Sequence, residues 1–482
     1  MAKTSGSRIA RQALMAGMVS LVATPVLADD LREALVMAYN TNPTLQAARA
    51  QQRAVDEGVP IARSAGLPSV SGTATYSEFV EGSTSNPLAP QRNLDASVNL
   101  GMPVYAGGGI RNSLNAARTR VAAGQADLRG VETGVFSQVV SAYMDVILAE
   151  AVVKLNRANV QRLEVNLQAT RDRFEIGDLT RTDVAQSASR LALAQGQTRS
   201  AQANLIAARE RYIQVIGKAP QDLTAPPALQ GLPASADDAV AIALDSNPDL
   251  IAARERSKAA GFDTAATNAK RLPQVSVFAS SGYNDFLGSN RIPGAVQSTT
   301  DTTVGVRATV PLFQGGLPSA QKRQAQAREN AVLEQEIGIE RTVIASVRSA
   351  YAQWQAAQSL TVSSQTAVDA AMLSLEGVRA ENTVGNRTIL DILNAENELL
   401  NAQVQLVTAK RNAYVAGFNL LAAMGKAEAR DLGLDGGPLY DPEVNARHAR
   451  NSIWDWNDNP KPKPVSTRTV DSKAQDGSVA GE

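Results

Sequence analysis

Few side chains in this sequence are placed to do covalent chemistry. His448 is the one histidine, and it lies in a polar C-terminal segment with no pattern pointing to a catalytic or metal-binding role. Cysteine is absent, which excludes disulfides, thiolate metal sites and the acceptor for an N-terminal lipid anchor. No carboxylates group as an acid/base pair, and no phosphate-cradling P-loop occurs. Neither an enzyme nor a bound cofactor is expected, so energy for any transport must come from a partner. One polar pattern does stand out, and it occurs twice. Thr180-x-x-Asp183 and Thr388-x-x-Asp391 have capping-box spacing, which suits the start of a helix. Gly177 and Gly385 precede them at matching positions and suit helix C-caps.

The recurrence runs through the chain. Asn42-Pro43-Thr44-Leu45 returns as Asn247-Pro248-Asp249-Leu250, and Leu67-Pro68 as Leu272-Pro273, at an offset of 205. After the loop-like segments near 80–95 and 286–300 the offset becomes 208. Pro103 then pairs with Pro311, Ser141-Ala142-Tyr143 with Ser349-Ala350-Tyr351, and Gly217-Lys218 with Gly425-Lys426. Loops absorb such shifts, and so many pairs in register mark an internal duplication.

Each half reads in the same order. Asn42 and Asn247 are N-caps, with Pro43 and Pro248 in the first helical turn. Two strands follow. In the first half Val98, Leu100, Met102 and Val104 alternate with Ser97, Asn99 and Gly101. In the second, Val304, Val306, Ala308, Val310 and Leu312 alternate with Thr303, Gly305, Arg307 and Thr309. Residues 69–79 and 274–284 are their partners. Period two with one apolar face suits a half-buried sheet or a lipid-facing barrel strand. Long proline-free intervals come next, between Pro103 and Pro220 and between Pro318 and Pro438, rich in helix formers. Only the turns at Gly177 and Gly385 break them, so the first helix of each pair spans about 60 residues, roughly 90 Å. Leu393, Leu400, Val407, Tyr414 and Leu421 recur every seven residues, the core stripe of a coiled coil.

Lys3, Arg8 and Arg11, an apolar stretch from Ala13 to about Val22, and Val26-Leu27-Ala28 read as a secretory signal peptide over 1–28, cleaved before Asp29. That stretch falls short of the ~20 residues of a membrane-spanning helix. The longest uncharged run, 349–368, is too rich in Gln, Ser and Thr to be one. Barrel strands escape such a test because they alternate in polarity. The leader removes three of 47 Lys and Arg against 47 Asp and Glu, a balance that gives no reason to expect nucleic acid. Four strands are too few to close a membrane barrel, which needs about eight, and open edges cannot face lipid. Membrane strands would therefore require a cyclic oligomer.

The segment Arg173-Phe174-Glu175-Ile176-Gly177-Asp178-Leu179-Thr180-Arg181-Thr182-Asp183-Val184 resembles the first helix-hairpin tip of the TolC family of outer-membrane channels. Val384-Gly385-Asn386-Arg387-Thr388-Ile389-Leu390-Asp391-Ile392-Leu393 resembles the second. The resemblance extends over the mature chain to about Gly433. It implies an α+β membrane protein with four strands and long helices per protomer, a homotrimer with a 12-stranded barrel in outer-membrane lipid and an α-helical tunnel in the periplasm. It implies a passive exit duct for protein or small-molecule cargo. The partners it implies are a periplasmic adaptor and an inner-membrane ABC, RND or MFS pump. On that likeness Thr182 and Asp183 would face Arg387 as a latch, and Asp391 would form an acidic ring. Asn394 stands where the family has a second acid, and Asn382 where it has a tyrosine, so the lock would be looser. Gly177 and Gly385 match the adaptor-docking tips. The resulting division is 1–28 leader, 29–235 first repeat, 236–433 second repeat and 434–482 C-terminal extension. The end of that extension is expected to be disordered, with Trp454 and Trp456 anchoring the stretch before it. The alternative function is a periplasmic coiled coil without a pore.

Overall fold

The computed structural model describes residues 30–80, 91–289, 294–434 and 439–479, and the expected leader lies outside them. The first repeat contains α1 (Leu31–Thr41), α2 (Pro43–Asp56), α3 (Gly58–Ser64), β1 (Ser69–Glu78), β2 (Arg92–Ala106), α4 (Gly109–Glu175) and α5 (Arg181–Ile216). The second contains α6 (Ala236–Ser246), α7 (Pro248–Ala269), β3 (Gln274–Asp285), β4 (Ser298–Thr309), α8 (Leu317–Thr383) and α9 (Ile389–Ala423). A short α10 (Pro442–Asn451) follows.

The Asn-Pro sites explain why each repeat folds as it does. The Asn42 side-chain oxygen accepts from the Thr44 and Leu45 N–H groups at 2.9 and 3.3 Å, capping α2. Its Nδ2 donates to the Val215 carbonyl at 2.8 Å, in the last turn of α5. Asn247 repeats this with Asp249, Leu250 and the Ala423 carbonyl at 3.0, 3.2 and 2.9 Å. One buried amide thus serves the start of one helix and the end of another, both of which leave backbone groups unpaired. The cap is legible in the sequence. The second bond and the short helices α1 and α6 ahead of each Asn are not.

The sheet is antiparallel in the order β1-β2-β3-β4, so the repeats join through β2 and β3 while β1 and β4 each keep an open edge. Register sets the faces. Val70, Leu100, Ala279 and Val304 lie in one cross-strand row, and Ser71, Asn99, Ser280 and Thr303 in the next. Among the described residues nothing covers the apolar face, and Val304 is 72% exposed. The other face is polar apart from Phe278, which lies between Gly101 and Gly305 with the Arg307 guanidinium 5.0 Å from its ring. Tyr76 and Tyr283 sit on the apolar face toward one end and Tyr105 toward the other, the placing of interfacial aromatics. β4 stops at Thr309, so Val310 and Leu312, expected in the strand, lie beyond the ladder. Thr309 faces Gln274, the first residue of β3, so the ladder ends there.

α4 and α8 are 67 residues each, about 100 Å of rod at 1.5 Å per residue and somewhat longer than expected. α4 packs on α5, α8 on α9, and α4 on α9, leaving α5 and α8 as the outer members. Around mid-length the rods and short helices share one core that includes Leu45, Phe136, Tyr143, Leu205, Tyr212, Leu250, Val347 and Phe418. α4 has an 18-residue window apolar enough, by length and composition, to cross a membrane, and half of it is buried within the protein. Lower down, Val368, Leu375, Leu399 and Leu406 form a separate seam between α8 and α9.

The C-terminal extension departs from expectation. Asn445 of α10 donates to Asp56 at 2.8 Å, and the Arg49 guanidinium stacks between Tyr39 and Tyr440 at 4.2 and 4.9 Å. These groups anchor it. Trp454 and Trp456 do not, being 75% and 86% exposed. The end expected to be disordered lies against α5, because charged groups there pair with its backbone.

Candidate functional site: the helix-hairpin tips

At the first tip, α4 ends in a Schellman turn. Gly177, with φ +83°, donates to the Phe174 carbonyl and Asp178 to that of Arg173, both at 2.9 Å. A side chain at that φ would be strained, which is why glycine stands there. An Arg173–Asp178 ion pair at 2.7 Å takes the place of the hydrophobic contact that usually closes this motif. α5 then starts from a complete capping box. The Asp183 N–H donates to the Thr180 hydroxyl at 3.3 Å, and the Thr180 N–H donates to the Asp183 carboxylate at 2.9 Å.

The second tip is built the same way. Gly385 has φ +82° and donates to the Asn382 carbonyl at 3.0 Å, while Asn386 donates to that of Glu381 at 2.9 Å. The Thr388 N–H and hydroxyl donate to Asp391 at 2.9 and 2.8 Å. Asn382 donates its side-chain N–H to the Arg387 carbonyl at 2.7 Å, tying the turn across its mouth. Hydrogen bonds hold both carboxylates below their usual range, from the Thr180 hydroxyl and N–H for Asp183 and from the Thr388 N–H and hydroxyl for Asp391. The tips therefore keep fixed negative charge at neutral pH.

Arg387 pairs with Glu381 at 2.6 Å within the chain, not with Asp183 or Thr182, and that pair pushes the guanidinium pKa up. Asn394 accepts from Arg190 at 2.8 Å, linking α9 to α5. Sequence reasoning missed an enclosed carboxylate here. Glu396 is 1% exposed and accepts from Arg379 of α8 at 2.7 Å and from Asn166 of α4 at 2.9 Å. It joins the two hairpins. It lies beside the seam formed by Ala395, Leu399, Ala402 and Leu406 and not on it, so no periodic signal in the sequence marked it. Among the described residues no group of His, Cys, Asp or Glu could hold a metal ion.

A sheet with one bare apolar face and two open edges, carried on paired rods that end in charged tips, defines the protomer of a membrane-spanning channel. The chain belongs to the family described as Outer membrane efflux protein, which matches it over residues 34–218 and 239–426. It is 34% identical to the outer membrane efflux protein BepC of Brucella suis biovar 1 over 446 residues, 92% of this chain and 95% of that one. To the outer membrane protein TolC of Escherichia coli K12 it is 26% identical over 430 residues, 84% of each. The Campylobacter jejuni CmeC outer membrane channel shares the fold, with a TM-score of 0.73 at 16% identity over 87% of this chain and 89% of that one. The chain is thus a TolC-family outer-membrane efflux protein, a non-enzymatic transporter of tripartite export systems. The family implies a trimer.

Proposed function

We propose that three copies close a 12-stranded barrel, β4 of each pairing with β1 of the next, above a tunnel of paired rods whose tips form a gate. The observation that carries this reading is the four-stranded sheet itself, bare on its apolar face and unpaired at both edges. Lipid tolerates neither open edges nor exposed backbone, so closure by copies of the same chain satisfies the physics. A pore-free coiled coil would have no use for that face. The polar face, with Asn99, Ser280, Thr303 and Asp301, then lines a watery lumen.

At the periplasmic end three Asp391 carboxylates form an acidic ring, and Arg387 with Thr182 and Asp183 acts as the latch between neighbouring hairpins. Asn394 narrows no second ring, since it is engaged by Arg190. The tips at Gly177 and Gly385 receive a periplasmic adaptor, which couples the duct to an inner-membrane ABC, RND or MFS pump. Conduction of protein or small-molecule cargo is passive.

Single-channel recording in a planar bilayer tests this, comparing the wild type with Asp391→Ala and Arg387→Ala. Small discrete openings are expected, with weakened cation preference in the first variant and larger conductance in the second. Correctly assembled, membrane-inserted trimers that pass no current would sink the pore. A conducting wild type with unchanged variants would remove these residues from the gate.

A further inference from the structure

The C-terminal segment plays no part in conduction as argued above, yet it is seated in a groove shaped for it. Thr467 packs against Gly217 at the end of α5, its hydroxyl 2.7 Å from where a Cβ would stand. The chain then follows α5 toward the tip. The Gln475 N–H donates to Glu210 at 3.1 Å. Arg209 donates to the Asp476 carbonyl at 3.0 Å while holding Glu150 of α4 at 2.9 Å. Arg157 of α4 donates to the Gly477 carbonyl at 3.3 Å. Gly477 passes so near α5 that a Cβ there would lie 2.7 Å from that of Gln202. Asp476 folds the segment by accepting from the N–H and hydroxyl of Ser478 at 3.1 and 2.6 Å. Val479 ends 5% exposed, within the cluster that contains Val153 and Leu205.

The duplication supplies a control. At the 208-residue offset, Glu150, Arg157, Arg209 and Glu210 become Gln358, Gln365, Gly417 and Phe418. The second hairpin keeps the rods and loses all four charges that meet the segment or brace those meeting it. The groove between α4 and α5 is therefore equipped in a way that the repeat alone does not require.

We propose that this groove is a binding site for an extended peptide, that its resident ligand is the chain's own segment Gln475–Val479, and that the segment is a releasable strap. Its bonds run from charged groups to backbone carbonyls and N–H groups near the surface, so raised salt weakens it.

The test uses the assembled trimer lacking residues 465–482 and a fluorescent synthetic peptide of residues 465–479. Saturable binding to the shortened trimer and none to the full-length trimer is expected. Arg157→Ala with Arg209→Ala should weaken binding at least tenfold, and a scrambled peptide should not bind. Hydrogen exchange provides a second readout. Removing the strap should expose α5 near 200–217, added peptide should restore protection, and α9 near 408–423 should not respond. Unchanged α5 exchange without the strap, or equal binding to the double variant, overturns the proposal. If the shortened chain fails to assemble, full-length protein with the two alanines serves, and faster exchange at 475–479 is the expected result. An unchanged rate there counts against the strap.

Discussion

Replacing Asn247 with alanine removes three hydrogen bonds at one buried point. The side chain is nearly enclosed, its oxygen serves the Asp249 and Leu250 N–H groups, and its amide serves the Ala423 carbonyl. Loss of an N-cap costs about 1 kcal/mol. Leaving a buried carbonyl without its partner costs roughly 1–3 kcal/mol more. The expected total is about 2–4 kcal/mol per protomer, a factor of roughly thirty to several hundred in the unfolding constant. Asn247→Ser keeps an acceptor for the cap and loses only the bond to Ala423, so it should fall between wild type and alanine. Asn42→Ala should match Asn247→Ala, because its geometry repeats to within about a tenth of an ångström. The two sites share no partner, so the double variant should be additive within about 0.5 kcal/mol. Denaturant-driven unfolding of the purified protein in detergent measures all four. A cost under about 1 kcal/mol for alanine, or serine as damaging as alanine, would refute the view that each Asn closes two helices.

Three other outcomes are expected. Val98→Arg, on the apolar face of β2, should cost about 2–4 kcal/mol and block folding into lipid vesicles, while Asn99→Arg on the polar face should fold normally. Glu396→Ala should cost about 2–3 kcal/mol, since two hydrogen bonds to a carboxylate go, while half-exposed Arg379 returns to water. Hydrogen exchange at both tips should accelerate in that variant, and exchange confined to α9 would show that Glu396 does not couple the hairpins. The carboxylates of Asp183 and Asp391 are depressed in the folded tips, so their contribution is complete above the ordinary carboxylate value of about 3.9. It is lost as pH falls through the lower folded values. Tip protection should stay flat from about pH 8 to 5 and decline only below about 4, and a decline starting near neutrality would contradict the hydrogen bonding described.

What the sequence reveals depends on how local the determining physics is. The caps at Asn42, Thr180, Asn247 and Thr388 were legible because a cap is decided within four residues. The strands were legible from their alternation, although β4 ended early, at Thr309 opposite the first residue of β3. The duplication made each reading count twice. Glu396 escaped because its partners, Arg379 and Asn166, lie 17 and 230 residues away, and only packing brings them together. The strap escaped for a related reason. Its composition is that of a disordered tail, and the order comes from Arg157, Arg209 and Glu210 on rods formed hundreds of residues earlier.

The matched lengths of the two hairpins, 67 and 36 residues against 67 and 35, have a geometric consequence. A threefold assembly of a duplicated chain is sixfold in its rods and only threefold in its chemistry. Around the ring, tips bearing Arg173, Asp178 and Arg181 alternate with tips bearing Glu381, Asn386 and Arg387. Six identical subunits meeting this pseudo-hexagonal rim would each have the same shape to grip. Alternate ones would face a different set of charges, and every second contact would differ in strength.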